Sequence, residues 1–282
     1  EMYADQPPYL ADDIVKAFHF QSHPLGNSVL GSPESVSALT VEQMRDYFAR
    51  QYSPGNIILA AAGKIDFDEL CGLAEKYCGS WAPQATHREQ IAPAPHVGLQ
   101  SVVKPNSQQQ YFIELANAPA CRDPLRHAAS LLTMIVGDDT GSRLFWELVD
   151  CGKAEHVVVS FSDYTDAGLF STYMSCDPDV FEENLKAIRD VFREVEINGV
   201  TEAELAQAKN KVCSTIVLSG ERPRSRLFKI GGSWAKRREY NSVKDVLAKV
   251  RAITLDDIRA VLDRYPLSAG SAIAVGPAEV KV

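Results

Sequence analysis

Residues 40–63 read TVEQMRDYFARQYSPGNIILAAAG and contain the pattern of a capped helix, a turn and a buried strand. Thr40 and Gln43 have the spacing of a capping box, which predicts that a helix begins there. Its apolar residues recur at helical spacing and predict one inward face: Val41, Met44, Tyr47 and Phe48. Pro54 cannot continue the helix, and the apolar run at 57–62 predicts a short buried strand that ends at Gly63.

The same pattern returns near the C-terminus, where TLDDIRAVLDRYP at 254–266 is followed by SAIAVG at 271–276. Three residues recur at a constant offset of 214: Thr40, Arg45 and Arg50 match Thr254, Arg259 and Arg264. Capped helix, turn and strand form a common unit, so these identities could also arise by chance. A true repeat implies copies of about 200 residues, so that roughly 100 or more residues of a first copy precede residue 1.

Composition limits the class of protein. The chain has 282 residues, 45% hydrophobic and 23% charged, which is typical of a globular protein with a sizeable core. A net charge of −8 argues against a nucleic-acid partner, because phosphate binding needs a basic surface. The sequence has no apolar run of about 18 residues, so no membrane span is predicted. The six cysteines are scattered without a C-x-x-C pair, which favours reduced thiols in the cytoplasm or another reducing compartment.

The order of predicted elements indicates the fold class. Segments 157–162 and 169–175 alternate like a hairpin, and segments 99–103 and 110–115 predict two further strands. Long helices follow in a pair, the second beginning at a capping box of Thr201 and Glu204. The sequence therefore predicts an α+β protein in which antiparallel sheets carry helices on one face.

Two further expectations concern the first 100 residues. A helix over 9–20 is predicted with an inward face of Leu10, Ile14, Ala17 and Phe18. The proline-containing stretch 81–96 predicts a linker between domains. We therefore expect residues 1–80 to be the C-terminal part of a first half and residues 97–282 to be a complete second half.

The residues alone show no catalytic constellation. None of the six histidines belongs to an H-E-x-x-H or H-x-x-E-H motif. His19 and His23 are four residues apart, but Pro24 places His23 at the end of its helix, which argues against a shared metal. No G-x-S-x-G nucleophile motif is present.

Several motifs in order resemble one known family. They are Met2-Tyr3-x-Asp5-x-Pro7, His23-Pro24-Leu25-Gly26 with Leu30-Gly31, Tyr52-x-Pro54-x-Asn56 with the following Ala-Ala-Gly, Ser142-Arg143-Leu144-Phe145, and Gly199-Val200-Thr201-x-x-Glu204-Leu205-x-x-Ala208-Lys209. Together they resemble the inverted zinc peptidases, the family of pitrilysin and the mitochondrial processing peptidase. The resemblance covers nearly the whole chain and implies two similar α+β halves.

The resemblance also implies where zinc is held. In the family, two histidines of H-x-x-E-H and a distal glutamate bind zinc in the first half, and the motif's glutamate acts as general base. The distal glutamate is expected about two residues before Glu1, with Glu1 itself as the alternative. The corresponding helix of the second copy, residues 125–136, carries Ala128, Ala129 and Leu132 instead of ligands. We therefore expect zinc in the parent protein and no zinc ligand in this chain.

Candidate substrate-binding residues follow from the same resemblance: Arg143, Glu155, Tyr111 and Ile113. Active relatives use an arginine and a tyrosine just after the Ser-Arg-Leu-Phe motif, whereas this chain has Val149 and, if a deletion of one residue is allowed, Glu155 at those places. Valine has no donor, and glutamate is acidic where a phenol is expected. Residues 111–115 are predicted to be an edge strand that pairs with an extended peptide by strand addition.

Two functions remain open at this point. The first is a fragment of a zinc metalloendopeptidase that cleaves unfolded peptides enclosed between two halves and that is inactive as this chain alone. The second is a non-catalytic subunit that binds substrate or supports a heteromeric complex; an intact upstream H-x-x-E-H would argue against it. Both predict a homo- or heterodimer without nucleic acid or membrane partners, and an unrelated α+β binding module is a third class.

Overall fold

The computed structural model describes residues 6–85, 91 and 93–280. The chain forms two compact units, one of residues 1–28, 91–213 and 247–282, and one of residues 29–90 and 214–246. We call them the sheet unit and the helical unit. The predicted linker 81–96 contains the passage from the helical to the sheet unit. Neither unit is one continuous segment, because residues 1–28 belong to the sheet unit and residues 214–246 belong to the helical unit. The division into a first half at 1–80 and a second half at 97–282 stays a prediction.

The sheet unit is built on five strands, β1 (Gly98–Val103), β2 (Gln110–Ala118), β3 (His156–Asp163), β4 (Gly168–Cys176) and β5 (Gly270–Gly276). Their order in the sheet is β1-β5-β2-β4-β3. β1 runs parallel to β5, and the remaining neighbours are antiparallel. The hairpin of β3 and β4 is the one that the alternating pattern predicts.

The α-helices are, in chain order, α1 (Pro7–Phe20), α2 (Pro33–Ser37), α3 (Val41–Gln51), α4 (Phe67–Cys78), α5 (Arg126–Gly137), α6 (Phe181–Asn198), α7 (Glu202–Gly220), α8 (Pro223–Arg237), α9 (Val243–Ala252) and α10 (Leu255–Arg264). Single turns of 3₁₀ helix lie at Pro24–Gly26, Pro54–Asn56 and Pro178–Val180, and a π-helical turn lies at Phe145–Val149. This mixture of sheet and helices confirms the α+β class.

Helices pack on both faces of the sheet. On one face, Gly137 at the end of α5 lies so close to Val159 that an added Cβ would approach its Cγ2 to 2.4 Å. The rings of Phe112 and Phe181, 6.1 Å apart, join β2 to α6 on that face. On the other face, α1 packs against β2 and β5 through a buried cluster: Ala11, Val15, Phe20, Ile113, Leu115, Ile273 and Val275. We expected helices on one face, and α1 adds a layer on the second.

The buried stripe of α1 differs from the predicted one. Its buried residues are Ala11, Val15, His19 and Phe20, whereas Leu10, Ile14, Ala17 and Phe18 had been expected to face inward. Both stripes have helical spacing, and the observed residues lie one or two positions further along the helix. It was missed because it contains a histidine, which hydrophobic periodicity counts as polar.

The helical unit confirms the predicted capping box. Thr40 Oγ1 accepts from the Gln43 amide at 3.2 Å, and Gln43 Oε1 accepts from the Thr40 amide at 2.9 Å. Thr254 and Asp257 make the equivalent reciprocal bonds at the start of α10. Asn27-Ser28-Val29 also matches Asn241-Ser242-Val243 at the same offset of 214, which adds to the evidence for a repeat.

The predicted strand at 57–62 does not belong to a sheet. No strand lies beside it in the described part of the chain, although its counterpart β5 is flanked by β1 and β2. The prediction of a buried strand is therefore wrong for these residues, because a strand forms only where neighbours complete its hydrogen bonds. The predicted inward face of α3 is likewise exposed, with Met44 62% and Phe48 59% accessible.

Candidate functional site

β2 is a central strand, and this contradicts the predicted edge at 111–115. Ile113 is paired with Ile273 of β5 on one side and with Tyr173 of β4 on the other. Both rows of backbone hydrogen bonds are occupied, so no peptide can add to this strand. The alternation of side chains predicts a strand but does not say which strands lie beside it, and this is why the edge was misassigned. The free edges in the described chain are β1 and β3.

Arg143 lies in a network of internal hydrogen bonds. Its Nε and Nη2 donate to the two carboxylate oxygens of Glu204 at 2.7 and 3.0 Å, and Nη2 also donates to the Gly199 carbonyl at 3.2 Å. Nη1 donates to Glu194. Arg143 thereby ties the segment after α5 to the turn between α6 and α7. Its predicted role in substrate binding stays a prediction.

Electrostatics agree with a tight Arg143–Glu204 pair. The hydrogen bond with Glu204 raises the pKa of Arg143. Burial acts to raise the pKa of Glu204, but hydrogen bonds from Arg143 and Thr201, together with the Arg143 charge, lower it to about 2. Both groups are therefore held in their charged forms at neutral pH.

A polar cavity of about 190 Å³ adjoins this network, lined by residues that include Asp138, Thr140, Trp146 and Gln207. Its charged side chains are paired with one another, since Lys211 bonds Asp138 and Arg143 bonds Glu204. The cavity therefore offers no unpaired charge to a ligand.

Glu155 lies directly before β3 in an exposed position. Its carboxylate accepts a hydrogen bond from the Gln109 side chain, and its backbone amide donates to the Ser175 carbonyl at 3.0 Å. Val149 ends the π-helical turn Phe145–Val149 and is half-buried. Val149 and Glu155, which stand where the resemblance implies an arginine and a tyrosine, thus differ in setting, and only Glu155 presents a charged group.

Three aromatic side chains lie at the end of the sheet where Glu155 precedes β3. The register places Tyr111, Ser175 and His156 in one row across β2, β4 and β3, and Tyr173 lies in the next row. The rings of His156 and Tyr173 are 5.7 Å apart. Burial raises the pKa of the Tyr173 hydroxyl, the hydrogen bond with Ser175 opposes this, and Tyr111 and Glu155 add to the rise.

We call Glu155, Tyr111, Tyr173 and His156 the strand-end cluster. Sequence reasoning named Glu155 and Tyr111 but missed Tyr173 and His156. The signal that could have found them is alternation along β3 and β4, which places His156 and Tyr173 on the same face of the hairpin as Ser175.

The described residues do not fit a zinc site. Across 6–85, 91 and 93–280, no three side chains of His, Cys, Asp or Glu lie together in a group that could hold a metal ion. His19 is buried against Ser271, with Nδ1 3.1 Å from Oγ, and His23 Nε2 lies 2.8 Å from the Ile91 carbonyl. Two expectations fall outside the described residues: Glu1 as the alternative zinc ligand, and positions 2–5 of the first family motif.

Two further expectations concern the cysteines and membrane-spanning helices. All six cysteines are free: Cys71, Cys78, Cys121, Cys151, Cys176 and Cys213. Among the helices described, none is long and apolar enough to span a membrane.

Solved structures of similar fold cover nearly the whole chain. A peptidase M16 inactive domain from Pseudomonas fluorescens matches with a TM-score of 0.89 and 21% identity, over 100% of this chain and 68% of that one. A chain of Complex III2 from Candida albicans matches with a TM-score of 0.83 and 17% identity, over 98% of this chain and 68% of that one. Both similarities concern the fold.

Relatives in sequence carry peptidase names. An uncharacterized zinc protease of Mycobacterium tuberculosis is 29% identical over 98% of this chain and 64% of its own length. The mitochondrial-processing peptidase subunit beta of Pongo abelii is 26% identical over 95% of this chain and 57% of its own length. The chain thus spans less than two thirds of these relatives.

The family model described as peptidase M16 inactive domain matches residues 38–212, which is more than half of the chain. This match agrees with the motifs, the α+β fold and the names of the relatives. The chain therefore belongs to the peptidase M16 inactive-domain family.

Proposed function

We propose that this chain is the C-terminal part of a zinc metalloendopeptidase that cleaves unfolded peptides enclosed between two similar halves. The observation that carries the proposal is that relatives named zinc proteases match 98% of the chain but extend well beyond it. The zinc ligands would belong to the part of the protein upstream of these residues, where zinc would activate water for attack on the peptide. This chain alone is then inactive.

The helical unit supports an upstream segment. Its extended stretch 57–62 lacks strand neighbours among the described residues, while its counterpart β5 lies between two strands. The apolar side chains on α3 are exposed, which is costly for a free surface. A first half that supplies two strands beside 57–62 and covers α3 would satisfy both features.

The test compares this chain with the whole protein. Both are purified by size exclusion without added metal, and zinc content and cleavage of an unfolded peptide are measured. We expect about one zinc per chain and cleavage for the whole protein only, with neither for the 282-residue chain. A whole protein that neither binds zinc nor cleaves peptides would refute the peptidase proposal.

A second candidate is a non-catalytic subunit that binds substrate or supports a complex. It is favoured by Val149 and Glu155, which stand where the resemblance implies an arginine and a tyrosine. One relative is named a subunit of a processing peptidase, and one matching structure is part of Complex III2, so assemblies of subunits occur among similar proteins. Analytical ultracentrifugation of the whole protein tests the predicted homo- or heterodimer. An upstream segment without H-x-x-E-H would favour this candidate.

A further inference from the structure

Residues 93–97, which we call the entry segment, lead into β1 without forming a helix or a strand. Pro93 and Pro95 have no backbone N–H and so cannot donate a backbone hydrogen bond. The amide of His96 donates to the carbonyl of His19 on α1 at 3.0 Å. The entry segment is thus attached to the sheet unit through the end of α1.

The Ser271 hydroxyl on β5 continues this attachment into the sheet. It donates to the His96 carbonyl, and His19 Nδ1 lies 3.1 Å from the same hydroxyl oxygen. Because a hydroxyl has a single proton and this one is given to His96, the oxygen accepts a proton from His19 Nδ1. Neutral His19 is therefore protonated on Nδ1, and its Nε2 carries the lone pair.

The second nitrogen of the His19 ring has no comparable partner. Nε2 is buried and makes no hydrogen bond with the described residues, and His19 as a whole is 1% exposed. A second proton would go to Nε2 and place a positive charge in this buried site, which is costly without an acceptor. Burial lowers the pKa of His19 to about 4, and a weaker interaction with Asn117 acts in the opposite direction.

The groups that face His19 from the neighbouring elements are uncharged. They are the Ser271 hydroxyl of β5, the Asn117 side chain of β2 and the backbone of the entry segment. β5 contains no titratable side chain. Glu114 is the one acid in β2, and it is bonded to Arg189 of α6 instead. The sheet therefore offers no carboxylate to a charged His19.

Other titratable side chains on or against this face also leave His19 without a counter-charge. They are Tyr164, Tyr173, His23 and His96, together with Asp12, Asp13 and Lys16 on α1. Asp12 pairs with Lys16 at 2.6 Å, and Asp13 accepts a hydrogen bond from Ser28. His23 Nδ1 accepts from a backbone amide at 3.2 Å. Tyrosine is neutral in acid. Protonation of His19 is therefore uncompensated within the described chain.

We propose that His19 and Ser271 form an acid-sensitive latch that holds the entry segment and the end of α1 on β5. At neutral pH the uncharged ring occupies its buried site, and the latch is closed. In acid the charged ring leaves this site for water, and the hydrogen bonds that hold His96 are lost. The strands stay paired, because their ladders are formed by backbone groups. This device goes beyond the proposed peptidase function and does not depend on it.

Hydrogen exchange of the full chain at pH 7 and pH 5 tests the latch. Protection factors, which correct for the pH dependence of the chemical step, are compared for peptides that span the entry segment and for peptides from β2 and β4. The pKa of the His19 ring is about 4 in the closed latch and about 6.5 in water. We therefore expect the protection of the entry segment to fall about tenfold from pH 7 to pH 5. The strands should remain much better protected than the entry segment at both values.

Three variants assign the effect to the latch. His19→Asn places an amide N–H near the position of Nδ1 and does not titrate, so it should remove the fall in protection. His96→Asn is the matched control, because His96 is the titratable residue of the entry segment itself and its ring lies 4.6 Å from that of Phe18. The fall should persist in this control. Ser271→Ala should lower the protection of the entry segment at both pH values.

Several results would overturn the latch. One is equal protection of the entry segment at pH 7 and pH 5, and another is an undiminished fall in His19→Asn. A fall that disappears in His96→Asn would assign the pH dependence to His96. Equal protection of the entry segment and the strands at pH 5 would indicate unfolding of the whole sheet unit. Circular dichroism at pH 7 confirms that each variant is folded, and zinc content and cleavage by the whole protein decide the peptidase proposal separately.

Discussion

Replacing Arg189 by methionine is expected to destabilise the fold, because the buried carboxylate of Glu114 loses its cationic partner. Arg189 Nη1 donates to both oxygens of Glu114, at 2.7 and 2.6 Å. The Glu114 side chain is 2% exposed and that of Arg189 is 30% exposed. The guanidinium also lies 6.0 Å from the ring centre of Phe112. Methionine fills much of the same space but leaves Glu114 without the cation on which its charge depends.

The magnitude follows from burial. Breaking a buried pair by removing one partner costs about 3–5 kcal/mol, and the partial exposure of Arg189 places this pair near the lower limit. Burial raises the pKa of Glu114, the charge and hydrogen bonds of Arg189 oppose that rise, and Glu196 adds to it. We therefore expect Arg189→Met to lose about 3 kcal/mol of stability at pH 8.

The loss should depend on pH with a definite sign. A raised carboxyl pKa means that the folded state binds the proton more tightly, so stability falls as pH rises above about 4.3. In the variant this fall extends to higher pH because Arg189 no longer opposes the shift. We expect the loss to be smaller at pH 5 than at pH 8, because the uncharged form of Glu114 does not need Arg189 and is more populated at the lower pH.

Hydrogen exchange of peptides from β2 and β4 reports on the sheet unit and is the appropriate assay. Arg193→Met is the matched control, because Arg193 lies one turn further along α6 and pairs in the open with Asp190. It should change stability by less than about 1 kcal/mol. An equal loss for Arg189→Met at pH 5 and pH 8 would refute the reasoning, since it would assign the loss to packing.

Three other predictions concern the same unit. Burial lowers the pKa of His19 to about 4, so the stability that neutral His19 provides is complete above pH 6.5 and is lost as pH falls towards 4. Urea titrations should show a loss of about 2 kcal/mol over this range. The same loss should be absent in His19→Gln, which has no titratable group at this position. Arg143→Met should cost about 2 kcal/mol at pH 7. It should also reduce the loss of stability between pH 4.5 and 2 that accompanies protonation of Glu204, because only the Thr201 hydrogen bonds would then lower the pKa of Glu204; an unchanged acid limb in urea titrations would contradict this. Ile113→Pro should cost about 3 kcal/mol or more of stability and yield little soluble protein, because β2 is paired on both sides. A soluble variant that circular dichroism shows to be folded would contradict the central position of β2 in the sheet.

Much of the fold was predictable because it depends on local interactions. The capping boxes at Thr40, Thr201 and Thr254 join residues three positions apart, and all three form. The hairpin of β3 and β4 follows from alternation in two adjacent segments. The family motifs are similarly short, so the sequence alone shows the resemblance that the family model confirms.

The candidate site was only partly predictable because it assembles distant segments. Glu155 and Tyr111 were named from a resemblance, but Tyr173 joins them through strand pairing. Arg143 was expected to bind substrate, and its contacts with Glu194 and Glu204 join residues more than 50 positions apart. No periodicity in the sequence reports such contacts.

The sequence by itself determined most of the helices, the five strands of the sheet apart from their order, where the capped helices begin and to which family the chain belongs, because each depends on neighbouring residues. The tertiary structure decided that β2 is central, that His19 is buried on α1 and that 57–62 is unpaired among the described residues. It also decided that residues 1–28 belong to the sheet unit and that residues 214–246 belong to the helical unit. Each of these depends on which distant segments supply hydrogen bonds and apolar contacts, and a local pattern holds no information about them.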